Sequence, residues 1–233
     1  MHPIEPPRAF VFDVFGTVVD WHGSVVRALR ARAWPVDADD FARAWRAGYA
    51  PAMDEVRLGR MPWANIDTLH RRILDHLLAE YRIDLAEPDA AALNRVWHQL
   101  DPWPDAGAGL WRVKRRGAIA TLSNGNLSLL LDLARRGTLP FDAIFSAELF
   151  GHYKPDPEVY LGAARLLDLP PAALMLVAAH PSDLDAAARC GLQTAFVTRP
   201  DEYGIGHGAP AVAPGRFTLV ARDFIDLAGQ LGV

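Results

Sequence analysis

Four polar groups in this chain stand where apolar runs end. Asp13 closes the run Ala9 to Phe12, and Ser123-Asn124 closes Ala118 to Leu122. Asp183 follows Leu174 to Ala179 after His180-Pro181-Ser182, and Lys154 lies in Gly151-His152-Tyr153-Lys154-Pro155-Asp156-Pro157. A short apolar run bounded by Pro and Gly reads as a buried strand. A carboxylate at the end of such a strand needs a reason, because an unpaired buried charge is costly. A nucleophile is one reason, and Lys154 is the cation that would keep it ionised. Each group also has a plainer reading: Asp13 as a capping aspartate, Ser123 and Asn124 as turn formers, Lys154 as a solvated loop residue, Asp183 as a helix N-cap. The combination decides between them. In an open parallel α/β sheet ligands bind outside the carboxyl ends of the strands, so four such groups are expected to meet in one crevice.

The elements that must position them follow from periodicity. After Asp13, Phe15-Gly16-Thr17 turns the chain out of the sheet. Trp21 to Trp97 is helical in pattern: Val25, Val26 and Leu29 share a face, Phe41, Trp45 and Tyr49 recur at spacing four, and Leu69, Ile73, Leu77 and Leu78 form a third stripe. Asp37 is placed to cap the second helix. From Asp101 helix and strand signals alternate. Helices are expected at Asp105 to Arg116, Leu127 to Arg135, Pro157 to Leu167, Leu184 to Cys190 and Asp223 to Leu231. Strands are expected at Ala118 to Leu122, Phe141 to Ser146, Leu174 to Ala179, Thr194 to Thr198 and Phe217 to Ala221, with a Pro/Gly-rich loop from Pro200 to Pro214. The alternation predicts an α/β fold, a mostly parallel sheet with helices on both faces.

Composition narrows the partners. The chain has 233 residues and a formal charge of −4, which leaves no basic footprint for nucleic acid or an anionic membrane. Its single cysteine, Cys190, excludes an internal disulfide and a cysteine-rich metal site. No apolar run is long enough to span a bilayer, and Met1 to Arg8 has no basic-then-apolar pattern, so a cytoplasmic protein without a leader is expected.

Taken together, the four segments resemble the four motifs of the haloacid dehalogenase superfamily, and their finer pattern resembles its L-2-haloacid dehalogenase branch. The likeness covers essentially the whole chain, including a helical cap inserted after the first motif. It implies a Rossmann-like, doubly wound parallel core at residues 1–19 and 101–233 with a cap at 20–100. It implies hydrolytic dehalogenation of short (S)-2-haloacids or haloacetates without cofactor or metal. Asp13 would displace halide from C2, and water would hydrolyse the aspartyl ester to a 2-hydroxy acid. Lys154 would hold Asp13 ionised, Thr17 would orient it, and Asp183 would pair with Lys154 and help position or activate water. Ser123 with the backbone N–H groups of Val14, Phe15 and Asn124 would hold the substrate carboxylate. Arg46, in Trp45-Arg46, and Asn124 would hold the halide, with Arg43 on the same helix as the competing arginine. Tyr160 matches the active-site tyrosine of the Lys-Pro-Asp-Pro-x-x-Tyr pattern. Partners are then a haloacid and a halide, and relatives suggest a homodimer with the tryptophan-rich cap as interface material.

Departures from the pattern sharpen the expectation. Phosphatases of the superfamily carry a second aspartate two residues after the nucleophile, where this chain has Phe15. They also end the fourth strand with two acids, and here only Asp183 remains. Asp13 and Asp183 alone suit a hard divalent cation poorly, so a Mg²⁺-dependent phosphatase is the alternative reading, and a non-catalytic binding module a second. Within the fourth motif, Ala178 and His180 replace a serine and an asparagine of the best-known dehalogenases, and Ser182 replaces an aromatic. His180 therefore either orients water or narrows the halide cradle. A tight cradle suits fluoride, and with Trp21-His22 near the first motif this makes fluoroacetate a candidate substrate. Asp20, His22, His152 and Asp185 are expected to be local hydrogen-bond partners. Trp34, Trp45, Trp63 and Trp97 are expected to pack the cap onto itself or a partner, and Cys190 to be an inert hydrophobe within a helix.

Overall fold

Strand β1 (Ala9–Phe12) lies in the middle of the sheet, hydrogen-bonded on one side to β4 (Ala118–Ser123) and on the other to β6 (Leu174–Ala178). The chain is seen here as a computed structural model that describes residues 5–207 and 210–233. Met1 to Ile4, part of the leader-free reading and of the first core segment, and 208–209 of the expected loop lie outside the described residues.

Between β1 and β4 come β2 (Val19–Asp20), helices α1 (Trp21–Arg30), α2 (Ala38–Ala47), α3 (Tyr49–Arg57), α4 (Ile66–Glu80) and α5 (Glu87–Asn94), then β3 (Asp101–Pro102) and α6 (Ala106–Val113). After β4 follow α7 (Leu127–Arg136), β5 (Ala143–Ser146) and α8 (Pro157–Leu166). After β6 follow α9 (Pro181–Arg189), β7 (Gln193–Val197), β8 (Leu219–Ala221) and α10 (Phe224–Gln230). The order across the sheet is β5-β4-β1-β6-β7-β8, and every pairing is parallel. Strand alternation divides the core in two. Phe10 and Phe12 face Leu110, Val113, Phe224 and Leu227 of α6 and α10, while Ala9 and Val11 face Val159, Ala163, Leu184 and Ala187 of α8 and α9. This is the expected doubly wound α/β core with an inserted helical cap.

Several boundaries differ from expectation for local reasons. Helix α9 starts at Pro181, three residues before Leu184, because Pro at the first helical position brings a fitting φ and needs no N–H partner there. Asp183 therefore lies in the first turn and is not the N-cap, and His180 immediately precedes the helix. Cys190 ends α9 and does not sit within it. Helix α6 stops at Val113 and not at Arg116. Strands β5 and β8 are shorter than expected at their starts. The antiparallel ribbon of β2 and β3, where the cap joins the core, is too short to show alternation in sequence.

The cap is held by aromatic packing. Asp37 caps α2, accepting from Asp40 N–H at 2.9 Å. Phe41 and Trp45 are buried on α2, but Gly48 separates them from Tyr49, which starts α3, so the stripe spans two helices. Trp45 donates from Nε1 to His70 O at 2.9 Å and meets Trp97 edge-on at 5.4 Å between ring centroids. Trp34 packs on Phe41, and Trp63 lies over the Tyr153 ring beyond the cap. Phe15 meets Tyr49 and Trp97 edge-on at 6.2 and 5.9 Å, so the loop after β1 is anchored in the cap's aromatic cluster.

Candidate active site

Asp13 leaves β1 with its N–H still donating to Val177 O at 3.0 Å, so the sheet fixes its backbone. Gly16 then turns the chain at φ +81°, a conformation that favours glycine, and brings Thr17 back over Asp13. Thr17 Oγ1 donates to Asp13 Oδ2 at 2.7 Å and accepts from Ala179 N–H at 3.0 Å. Lys154 Nζ donates to Asp13 Oδ1 at 2.9 Å and to Asp183 Oδ2 at 2.6 Å. Tyr160 donates to the other oxygen of Asp183 at 2.6 Å. Burial alone would raise the Asp13 carboxyl, but the charge of Lys154 and the hydrogen bond and charge of His180 outweigh it and hold the group well below the usual carboxylate range. Burial would likewise lower the Lys154 ammonium, and the charges of Asp13 and Asp183 raise it above its ordinary value.

His180 touches the same carboxylate. Its Nδ1 is 3.1 Å from Asp13 Oδ2, and its Nε2 is 2.9 Å from Oε1 of Glu202. Burial pushes the imidazole down, but hydrogen bonds to Asp13 and Glu202 and their charges bring it up to about 10. Glu202 is 4% exposed and also accepts from Trp21 Nε1 at 3.2 Å. A Cβ on Gly16 would lie 2.1 Å from Glu202 Oε1, so the glycine also makes room for this carboxylate. Sequence reasoning missed Glu202 because it lies in a loop without periodicity. The signal was positional: the loop follows β7, at the same carboxyl edge of the sheet as the other groups.

A cavity of about 170 Å³ opens on this cluster, lined by Asp13, Phe15, Tyr49, Lys154 and His180 among others. Arg46, Asn124, Tyr160, Ser182 and Asp183 also reach its wall. Arg46 comes from the last turn of α2, with its guanidinium carbon 4.2 Å from the Tyr49 ring centroid. Its Nε is buried and makes no hydrogen bond within the described residues, whereas Arg43 is tied to Asp40 at 2.7 Å on the surface. Burial pushes the Tyr49 phenol up to about 12. Asn124 accepts from Lys154 N–H at 2.8 Å through Oδ1, and its Nδ2 points to Met53 Sδ at 3.2 Å. Ser123 ends β4 behind the wall, fully buried, with its hydroxyl accepting from Gly125 N–H at 3.3 Å. Among the described residues the backbone N–H groups of Val14, Phe15 and Asn124 donate to no protein acceptor. Convergent free N–H groups form an anion nest.

The remaining residues keep to local roles. Asp20 caps α1 through Gly23 N–H at 2.8 Å, His22 faces Asp39 at 3.6 Å, His152 faces Asp156 at 3.5 Å, and Asp185 pairs with Arg216. The donor set suits a divalent cation poorly: an ammonium stands between the two carboxylates that would have to bind it. Among the described residues no group of three or more His, Cys, Asp or Glu is placed to hold a metal ion, and no helix is long and apolar enough to cross a membrane.

The chain is similar to known proteins in sequence and fold. Residues 7–191 match the family described as haloacid dehalogenase-like hydrolase. (S)-2-haloacid dehalogenase 1 of Pseudomonas sp. (strain CBS-3) is 31% identical over 211 residues, covering 86% of this chain and 89% of that protein. The crystal structure of an L-2-haloacid dehalogenase is 47% identical, with a TM-score of 0.93 over 97% of this chain and 99% of the other. That of a defluorinating L-2-haloacid dehalogenase is 43% identical, with a TM-score of 0.92 over 97% and 96%.

Proposed function

Because the chain belongs to the haloacid dehalogenase-like hydrolases, we propose that it hydrolyses short (S)-2-haloacids and haloacetates to 2-hydroxy acids and halide. The observation that carries this reading is the Lys154 ammonium bridging Asp13 and Asp183 at 2.9 and 2.6 Å, with Phe15 where a phosphatase needs an acid. The bridge leaves Asp13 an ionised, oriented nucleophile. Halide departs as a stable anion, so no acid is required to protonate it.

The substrate carboxylate lies on the N–H groups of Val14, Phe15 and Asn124, with Ser123 holding the shape of that turn. Arg46 and the Asn124 amide face the halide. A guanidinium whose buried Nε has no hydrogen-bond partner among the described residues, at the wall of a small cavity, is a site for an anion. Asp13 attacks C2 from the side opposite the halogen, which leaves as X⁻ and gives an aspartyl ester. Water then adds at the Asp13 carboxyl carbon and releases the 2-hydroxy acid, inverted at C2 if that centre is chiral. Tyr160 and Lys154 fix Asp183 beside the reacting carboxyl. The cavity, about 170 Å³, lies well below the roughly 300–1,000 Å³ of drug-sized sites, which favours acids of two or three carbons.

The His180 ring beside Asp13 and the likeness to a defluorinating structure extend the proposal to fluoroacetate. The reading also takes residues 1–19 and 101–233 as catalytic core and 20–100 as cap, in a cytoplasmic homodimer; sedimentation tests the dimer and fractionation the location. Halide release across fluoro-, chloro- and bromoacetate and both enantiomers of 2-chloropropionate tests the activity. Release from the (S) enantiomer and the haloacetates is expected. Chloroacetate turnover with no fluoride from fluoroacetate would remove the defluorination arm. EDTA-sensitive hydrolysis of p-nitrophenyl phosphate with no halide release would replace the reading by the phosphatase one.

A further inference from the structure

Ester hydrolysis needs a base for the attacking water, and Asp183 is poorly placed to be one. Both of its oxygens already accept short hydrogen bonds, from Lys154 Nζ and Tyr160 OH, each at 2.6 Å. His180 is bound differently. It bridges two carboxylates, and one of them, Asp13, loses its charge when it becomes an ester. The other, Glu202, lies outside the reaction and keeps its contact at Nε2.

Resting on the dehalogenase reading, we propose that Glu202 and His180 form a dyad that acts as general base for hydrolysis of the ester at Asp13, and that formation of the ester switches this base on. In the resting enzyme the imidazole sits between Asp13 and Glu202 and is charged, with its proton held up to about 10. Alkylation of Asp13 removes one of the charges that hold the proton. The imidazolium then loses its Nδ1 proton through its solvent-facing side (the side chain is 23% exposed). Glu202 keeps the Nε2–H, which fixes the tautomer with the Nδ1 lone pair directed at the reacting carboxyl.

The protons balance. Water gives a proton to Nδ1 as its oxygen bonds to the Asp13 carboxyl carbon. The tetrahedral adduct collapses, breaking the bond from that carbon to the ester oxygen, and the departing alkoxide takes the proton from Nδ1. The carboxylic acid then gives its own proton to Nδ1, so the imidazolium–Asp13 pair is restored. The two protons of water end on the 2-hydroxy acid and on His180, and the proton shed on alkylation accompanies the halide into solvent. Glu202 is a positioning residue: it does not touch the reacting atoms and acts through the imidazole. Its place is built into the fold, since Gly16 lacks the side chain that would occupy it and Trp21 donates to the same oxygen.

Rapid-quench halide release and intact-protein mass spectrometry with chloroacetate test the proposal on the full chain. His180→Asn, His180→Ala and Glu202→Gln are expected to release one halide per site in a burst and then to turn over about 10²-fold more slowly, with the Asp13 ester accumulating. The unit burst also reports that each variant is folded. Added imidazole is expected to speed ester breakdown in His180→Ala, and Glu202→Asp to restore part of the rate of Glu202→Gln. Steady turnover without ester in His180→Asn and Glu202→Gln would overturn the proposal, as would loss of the burst itself in both. Ester accumulating only in Asp183→Asn would assign the base to Asp183 instead. In those cases the dehalogenase reading stands; no halide from the unaltered enzyme would overturn both.

Discussion

At Asp13 a buried carboxylate is kept charged by three side chains, and they are not equal. Thr17 supplies a neutral hydrogen bond, His180 a charged one, and Lys154 a full positive charge shared with Asp183. Removing Lys154 leaves Asp183 without a cation and Asp13 with His180 alone, and breaking a comparable buried pair costs about 3–5 kcal/mol. Lys154→Met is therefore expected to lower stability by roughly that amount in urea denaturation and to lower kcat at least ~10²-fold; a variant of unchanged stability contradicts the bridge. His180 makes a pH-dependent contribution of the opposite kind. Its pKa is raised from 6.5 to about 10 on folding, so its stabilisation is complete below pH 6.5 and is lost as pH rises through about 10. Asp13 is lowered, so its contribution is present above 3.8 and is lost only as pH falls below that. The stability gap between the unaltered protein and His180→Asn should then narrow from about pH 7 to about pH 10. A constant gap would show that the imidazole is not held charged.

Among the elements, the loop after β7 decides the placement of Glu202. Arg199 begins it with a two-pronged pair to Asp105 at 2.7 and 2.9 Å and an Nε–H donated to Thr17 O at 2.9 Å. Its guanidinium also lies 4.8 Å from the Phe224 ring centroid. This one side chain ties the loop to the start of α6, to α10 and to the turn beyond Asp13. Lysine keeps the charge but not the fork. Arg199→Lys is expected to cost about 1–3 kcal/mol in thermal denaturation and to slow ester breakdown more than the halide burst; equal slowing of both would place the effect elsewhere. None of this was legible in sequence, because Arg199 and Glu202 lie in a Pro/Gly-rich stretch with no period to read. Asp13, Lys154 and Asp183 were legible, because each follows or adjoins an apolar run that had to be a strand. The plainer reading of Asp183 as an N-cap falls because Pro181 starts α9 earlier than its apolar face does, which puts Asp183 in the first turn. The preference for Arg46 over Arg43 came only through the family likeness; in the structure Arg43 pairs with Asp40 on the surface and Arg46 lines the cavity.

For the molecule as a whole, the cap must stay seated for Arg46 to reach the cavity that Asp13 also lines. Besides the short β2–β3 ribbon, a polar knot joins cap and core. His98 is 2.9 Å from Asp67 and 2.7 Å from Asp132, and Asn126 Nδ2 donates to Asp67 Oδ2 at 3.0 Å. Asn126 Oδ1 also accepts from the N–H of Asp67, at 3.3 Å. Asn126→Ala removes both bonds from the core side and is expected to cost about 1–3 kcal/mol. It should raise KM more than it lowers kcat and speed amide exchange in α4 while sparing β1; protection unchanged across α4 would deny the knot that role. The doubly wound sheet and the helical insert were both readable from periodicity, whereas the joint between them was not, since it rests on two-residue strands and on pairs distant in sequence. The proposed chemistry turns on one bond, between Asp13 and substrate carbon. A single turnover with enzyme in excess over chloroacetate, run in ¹⁸O-water, tests it directly. An unlabelled hydroxy acid and ¹⁸O in the Asp13 carboxylate are expected; ¹⁸O in the hydroxy acid of that first turnover would overturn the role of Asp13 as nucleophile.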